Sequence, residues 1–183
     1  MSTHPRPRLF LDLDGVVNAP HPPWLETTTF TVSDHRGDHR GGGYVTTYSI
    51  TVAPAMVAAI DQLRADFDLE LVILSTWLEN PEMIGQLTEA LDALHHPRLL
   101  TIPKRKFGGY RSSLWKREAL IEDLENDPPS AFIWADDDET PLHGDFVRQV
   151  YDLPSLMLGP DPEHGITPGD LVTMLDFLEQ RRH

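Results

Sequence analysis

Short apolar runs alternate along this chain with stretches of helical periodicity, and that alternation limits what the chain can fold into. Strands separated by helices make an α/β fold with a parallel sheet. The first run is a strand over about Arg8 to Leu13, the second covers Leu69 to Leu74, and a later one covers Ala131 to Ala135. Arg98 to Ile102 and Ser155 to Leu158 read as shorter strands. Glu26 to Val32 and Tyr44 to Val52 are rich in Thr, Val and Tyr and flank Asp38-His39-Arg40-Gly41-Gly42-Gly43, which predicts a hairpin with a long tip.

Helix signals fill the gaps. Pro54 opens a helix with Met56, Val57, Ile60 and Leu63 on one stripe. Asn80 is an N-cap and Pro81 the first residue of the next helix, whose stripe is Met83, Ile84, Leu87, Leu91 and Leu94. Ser113 is placed to cap a helix carrying Leu114, Trp115, Leu120, Ile121 and Leu124, which Pro128-Pro129 ends. Thr167, Pro168 and Asp170 open the last helix as N-cap, first residue and capping acid.

A length of 183 residues predicts one domain over 1–183, with an insertion over 19–52. Cysteine is absent, which removes disulfides, thiolate metal sites and a Cys nucleophile. The start MSTHPRPR has no signal-peptide core and no apolar run is long enough to span a membrane, so a cytoplasmic protein is expected. The net charge of −14 argues against general duplex nucleic-acid binding and against anionic membrane surfaces. Yet six of the fifteen basic residues, Lys104, Arg105, Lys106, Arg111, Lys116 and Arg117, fall within fourteen positions. A local positive field on an acidic protein suits an anionic ligand.

The chemistry concentrates where strands end. Asp12 and Asp14 are two apart, so on an extended strand they share a face, and their repulsion calls for a proton or a cation. The second core strand ends in Ser75-Thr76 and a later one in Asp136-Asp137. Ligands of open α/β sheets bind at the carboxyl ends of strands, so all three groups are expected at one edge. Lys116 precedes the last of them.

This order resembles the haloacid dehalogenase (HAD) superfamily of phosphohydrolases. Asp12-Leu13-Asp14-Gly15-Val16 matches its first motif, the strand ending at Ser75 its second, Lys116 its third, and Trp134-Ala135-Asp136-Asp137 its fourth. Leu74-Ser75-Thr76-Trp77, Trp115-Lys116, Phe132 to Asp137 and Gly165-Ile166-Thr167 look like the branch related to RNA-repair phosphatase domains. The resemblance implies a three-layer Rossmann-like core with a β-hairpin flap over 19–52 as a minimal cap. It implies that Asp12 is the nucleophile, forming an aspartyl-phosphate, and that Asp14 is general acid and then base. Mg²⁺ would be held by Asp12, the Asp14 backbone carbonyl and Asp136, with Asp137 close by. Ser75 would hydrogen-bond a phosphate oxygen, with Thr76 as the alternative, and Lys116 would offset negative charge, with Lys104 and Lys106 as competitors for that role.

The expected function is a Mg²⁺-dependent phosphatase. A non-catalytic phospho-ligand binder and a phosphotransferase with the same first step are the alternatives. A small cap leaves the site open, and Lys104, Arg105 and Arg111 beside Lys116 favour a substrate with several negative groups, such as a nucleotide or a nucleic-acid end. Trp77, Trp115 and Trp134 read as core or pocket wall. EF-hand, zinc-protease and Walker-type readings fail on spacing.

Overall fold

The structure is a computed structural model that describes residues 5–37, 43–102 and 114–181. Along the chain run β1 (Arg8–Leu11), β2 (Thr28–Gly37), β3 (Gly43–Val52), α1 (Pro54–Phe67) and β4 (Glu70–Ile73). A short 3₁₀ turn (Thr76–Glu79), α2 (Pro81–Leu91), β5 (Arg98–Leu99) and α3 (Trp115–Asn126) follow, then β6 (Phe132–Ala135), α4 (Glu139–Val150), β7 (Ser155–Leu158) and α5 (Pro168–Glu179).

Five strands form one sheet in the order β5-β4-β1-β6-β7, with every neighbouring pair parallel. The chain steps outward from β1 to β5, then crosses back to β6 on the other side of β1. Right-handed crossovers therefore put α1 and α2 on one face and α3 and α4 on the other. The observed packing of α1 on α5 and of α3 on α4 agrees. This is the doubly wound, Rossmann-like arrangement, and its direction reverses at β1, where such sheets hold their ligands.

Burial follows from that layering. β1 and β6 are buried throughout, and Phe10 meets Phe132 edge to face with ring centroids 6.2 Å apart. β2 and β3 form a separate antiparallel hairpin, paired from Thr28↔Val52 to Gly37↔Gly43. Its inner residues Val32, Ile50 and Val52 are buried. It is fixed to α2 by the Gln86 side chain, which accepts from Ser33 N at 2.8 Å and donates to Ser33 O at 2.9 Å. Asn80 Nδ2 adds a bond to Asp34 Oδ1 at 2.6 Å.

The N-terminal edge of the sheet is closed by charge. Arg8, buried at the start of β1, donates to Glu70 at 2.6 Å, Asp123 at 2.7 Å and Asp127 at 2.6 Å. Arg98 pairs through Nε with the same Glu70 and, through both terminal guanidinium nitrogens, with Asp123.

Several local expectations change. β1 ends at Leu11, not Leu13, because the Leu13 carbonyl accepts from Val17 and Asn18 N–H, which already belongs to a turn. α2 ends at Leu91, since Asp92 and Leu94 take left-handed φ of 47° and 55°, although Leu94 stays buried. β5 has only two residues. Ser113 lies outside the described residues, and the residue before α3 is Leu114, with no side-chain cap. α4 has no counterpart in the sequence reading: its buried face is Thr140, Gly144 and Val147, while the apolar Leu142, Phe146 and Val150 are exposed. The Asn80 cap and the full Thr167–Asp170 capping box are present as expected.

Candidate active site

Register alone assembles the site. Leu11 pairs with Ile73 on one side and Ala135 on the other, so the next residues, Asp12, Leu74 and Asp136, lie at one level. Asp12 N–H donates to Ala135 O, Asp136 N–H to Leu158 O and Leu74 N–H to Leu11 O, each at 3.0–3.1 Å. The strands thus deliver Asp12, Ser75 and Asp136-Asp137 to one edge, as expected. From the first turn of α3, Lys116 reaches in: its Nζ lies 2.5 Å from Asp12 Oδ2 and 2.9 Å from Asp136 Oδ2.

The acids are fixed from behind. Asp12 Oδ1 accepts from Leu13 N–H at 2.7 Å. Asp136 Oδ1 accepts from Asp138 and Glu139 N–H at 3.1 and 2.8 Å, the free donors at the start of α4. Thr140 Oγ1 lies 2.6 Å from Asp136 O and 2.8 Å from Leu158 O. Asp137 packs onto Gly15, where an added Cβ would come within 2.4 Å of Asp137 Oδ2. Gly15 has φ +70°, so side-chain absence is required twice over: by the turn and by the neighbouring acid. The turn is braced by Ile166 N–H donating to Val16 O at 2.9 Å, a close approach that Gly165, at φ +64°, permits.

Asp12, Asp136 and Asp137 place carboxylate oxygens within 4.8 Å of one another. Burial pushes Asp12 up to about 6; Lys116 and the Ser75 hydroxyl pull down, while Asp136 adds to the rise. Burial also raises Asp136 against the opposing pull of Lys116, and raises Asp137 with help from Asp138 and Asp12. Burial alone would lower Lys116, but Asp12 and Asp136 hold it above its ordinary value, so it stays an ammonium. Three carboxylates and one ammonium leave two negative charges in excess when all are ionised. A divalent cation would neutralise that excess, and an all-oxygen donor set suits a hard one.

Asp14 stands apart. Its carboxylate is outside this acid cluster and instead lines a cleft of about 310 Å³ between the hairpin and the 3₁₀ turn, shared with Asn18, Asp34, Tyr48, Thr76 and Asn80. Trp77 Nε1 donates to Asp14 Oδ2 at 2.7 Å and Asn18 Nδ2 to Asp14 Oδ1 at 2.8 Å. Ser75 is fully buried and its Oγ accepts from Trp77 N–H at 3.4 Å. Thr76 begins the 3₁₀ turn and borders the cleft.

Lys104, Arg105, Lys106 and Arg111 lie outside the described residues. Two contacts escaped the sequence reading, Trp77 and Asn18 on Asp14. The spacing from Asp14 to Asn18 fits a side chain reaching back across a tight turn, but nothing in the sequence marks the indole as a donor rather than core. Among the described residues no helix is long and apolar enough to cross a membrane. No curated protein and no solved structure matches the chain. A family model does, over residues 8–170, described as the HAD domain in Swiss Army Knife RNA repair proteins. That span takes in β1 with its two acids, Lys116, β6 with its acid pair and the cap of α5, and the chain belongs to this HAD family.

Proposed function

We propose that the chain is a Mg²⁺-dependent phosphomonoester hydrolase that works through an aspartyl-phosphate on Asp12. The observation that carries this is the Lys116 ammonium bridging Asp12 and Asp136, with Asp137 completing an acid cluster beside it. In this reading Asp12 Oδ attacks phosphorus while the ester P–O bond breaks, and Asp14 gives its proton to the departing oxygen. Asp14, now a carboxylate, takes a proton from water as the water oxygen attacks phosphorus, and Asp12 is released with inorganic phosphate. Ser75 donates a hydrogen bond to a phosphoryl oxygen, with Thr76 next to it. Lys116 holds Asp12 ionised and in line, and offsets the charge that gathers on the phosphoryl group.

Asp12, Asp136 and Asp137, with the Asp14 backbone carbonyl, would hold Mg²⁺. The ion supplies Lewis-acid stabilisation of phosphoryl oxygens. The hairpin within 19–52 acts as a minimal cap on a single domain over 1–183. Lys104, Arg105 and Arg111 would contact the remainder of the substrate, a nucleotide or a nucleic-acid end, and the RNA-repair description of the family supports the second. The test is release of inorganic phosphate from a panel of sugar phosphates, nucleotides, oligonucleotide ends and phosphopeptides. Release is expected with Mg²⁺, and is lost with chelator and in Asp12→Asn. Full activity in Asp12→Asn overturns the nucleophile assignment.

A further inference from the structure

The Asp14 carboxylate has both oxygens engaged by side chains that can only donate there. Trp77 Nε1 is a donor by chemistry. Asn18 is oriented by Thr51 of β3, whose N–H donates to Asn18 Oδ1 at 2.9 Å, so its Nδ2 faces Asp14 Oδ1. Asn18 belongs to the same turn as Asp14, closed by Gly15 N–H on Asn18 O at 2.8 Å. Trp77 is buried and stands two residues beyond Ser75, on the 3₁₀ turn that Ser75 caps. Asp14 itself is exposed on its remaining side, towards the cleft. The carboxylates of Asp12, Asp136 and Asp137 do not line that cleft.

From this geometry we propose that Trp77 is a positioning residue for proton delivery. Its indole N–H fixes Asp14 at the wall of the hairpin-side cleft, and that cleft receives the leaving group. The proposal rests on the phosphatase reading above. Phosphorus then sits over Asp12 while the ester oxygen and its substituent point into the cleft. As the Asp12 Oδ–P bond forms and the ester P–O bond breaks, the Asp14 proton moves to the departing oxygen. The two donors keep one rotamer of Asp14 in place and leave its other lone pairs to carry that proton.

The consequence is selective. An alkoxide is a poor leaving group and needs the proton; p-nitrophenolate leaves without much help. Loss of the indole N–H therefore falls on alkyl esters. General acid catalysis contributes about 10²- to 10⁴-fold, so misplacing the acid should take roughly 10- to 100-fold from kcat/KM for an alkyl phosphate. kcat/KM ends at departure of the leaving group, so later hydrolysis of the aspartyl-phosphate does not enter it.

The experiment compares an alkyl phosphate with p-nitrophenyl phosphate in wild type, Trp77→Phe and Asp14→Asn. The expected result is a loss on the alkyl ester at least about tenfold larger than on the aryl ester in both variants, with no added selectivity in the double variant. Equal losses on the two esters in Trp77→Phe, or no loss on either, overturn the proposal. So do independent effects in the double variant. Where Trp77→Phe fails to fold, 3-benzothienylalanine at position 77 keeps the ring shape and replaces only the N–H. A wild type inactive on every ester sinks the phosphatase reading itself. An active wild type with a dead Asp12→Asn and unselective Trp77 variants sinks this inference alone.

Discussion

Gly15→Ala tests whether the first turn and the acid cluster are one mechanical unit. Two separate penalties follow from the geometry. At φ +70° an L-residue is strained by about 1–2 kcal/mol. The new Cβ also sits 2.4 Å from Asp137 Oδ2 and 2.5 Å from its Cγ, distances no contact tolerates. Asp137 is half-buried beside the turn, so the cheapest relief is rotation of its carboxylate out of the group formed with Asp12 and Asp136. For a chain of this size 1 kcal/mol moves Tm by roughly 2–4 °C, so strain alone predicts a fall of about 2–8 °C in chelator. A cation at a hundredfold excess over Kd adds about 2.7 kcal/mol to a protein that binds it only when folded. Wild type should therefore melt roughly 5–10 °C higher in Mg²⁺ than in chelator, and Gly15→Ala should lose most of that rise. The assay is a pair of melting curves, with and without Mg²⁺, for wild type, Gly15→Ala, Asp137→Ala and the double variant. The double variant should show the strain penalty but no further loss of Mg²⁺ response beyond Asp137→Ala. A Gly15→Ala protein that melts within about 1 °C of wild type and keeps its full Mg²⁺ shift would falsify the coupling.

Lys116→Met leaves Asp12 and Asp136 buried without their counter-charge, a loss of about 3–5 kcal/mol in metal-free protein. Both acids already have raised values, so the stability they contribute is present at low pH and disappears as pH climbs through the folded value, about 6 for Asp12. Urea midpoints of Lys116→Met should therefore improve on acidification from neutral pH; a flat profile refutes the account. Glu70 runs the other way. Burial alone would raise it, but hydrogen bonds and charge from Arg8 and Arg98 hold it below its ordinary 4.5. Its stabilisation is full above that ordinary value and vanishes as pH falls through the lowered folded one. Glu70→Gln should flatten this acid limb in urea unfolding, and an unchanged limb would place the acid sensitivity elsewhere.

Much of the site was legible because parallel strands translate sequence into position. Once Leu9–Leu11, Leu71–Ile73 and Phe132–Ala135 are strands of one sheet, the residues after them must share an edge, and Asp12, Ser75 and Asp136 need no further information. Lys116 was legible only by order in the chain, because the register of a helix against a sheet is set by packing. α4 was not legible: its buried stripe is Thr140, Gly144 and Val147, with a single apolar side chain among them, while Leu142, Phe146 and Val150 are exposed. The Asp14 contacts were hidden for another reason. A tryptophan in or just after a core strand has the same apolar signature whether its N–H meets a carboxylate, as at Trp77, or has no hydrogen-bond partner among the described residues, as at Trp134.

The place of β1 in the middle of the sheet has a consequence for how the chain acquires its structure. β1 comes first in the sequence, yet its two neighbours come from residues 70–73 and 132–135. During synthesis in the N-to-C direction, one edge of this apolar strand acquires a partner with residues 70–73 and the other stays open until residues 132–135 have emerged. An open apolar edge is a template for pairing between molecules. Polar groups at the two ends of β1, Arg8 at its start and Asp12 just beyond its last residue, are then gatekeepers as well as members of their networks. Truncation before β6 should yield aggregates, not a smaller soluble fold.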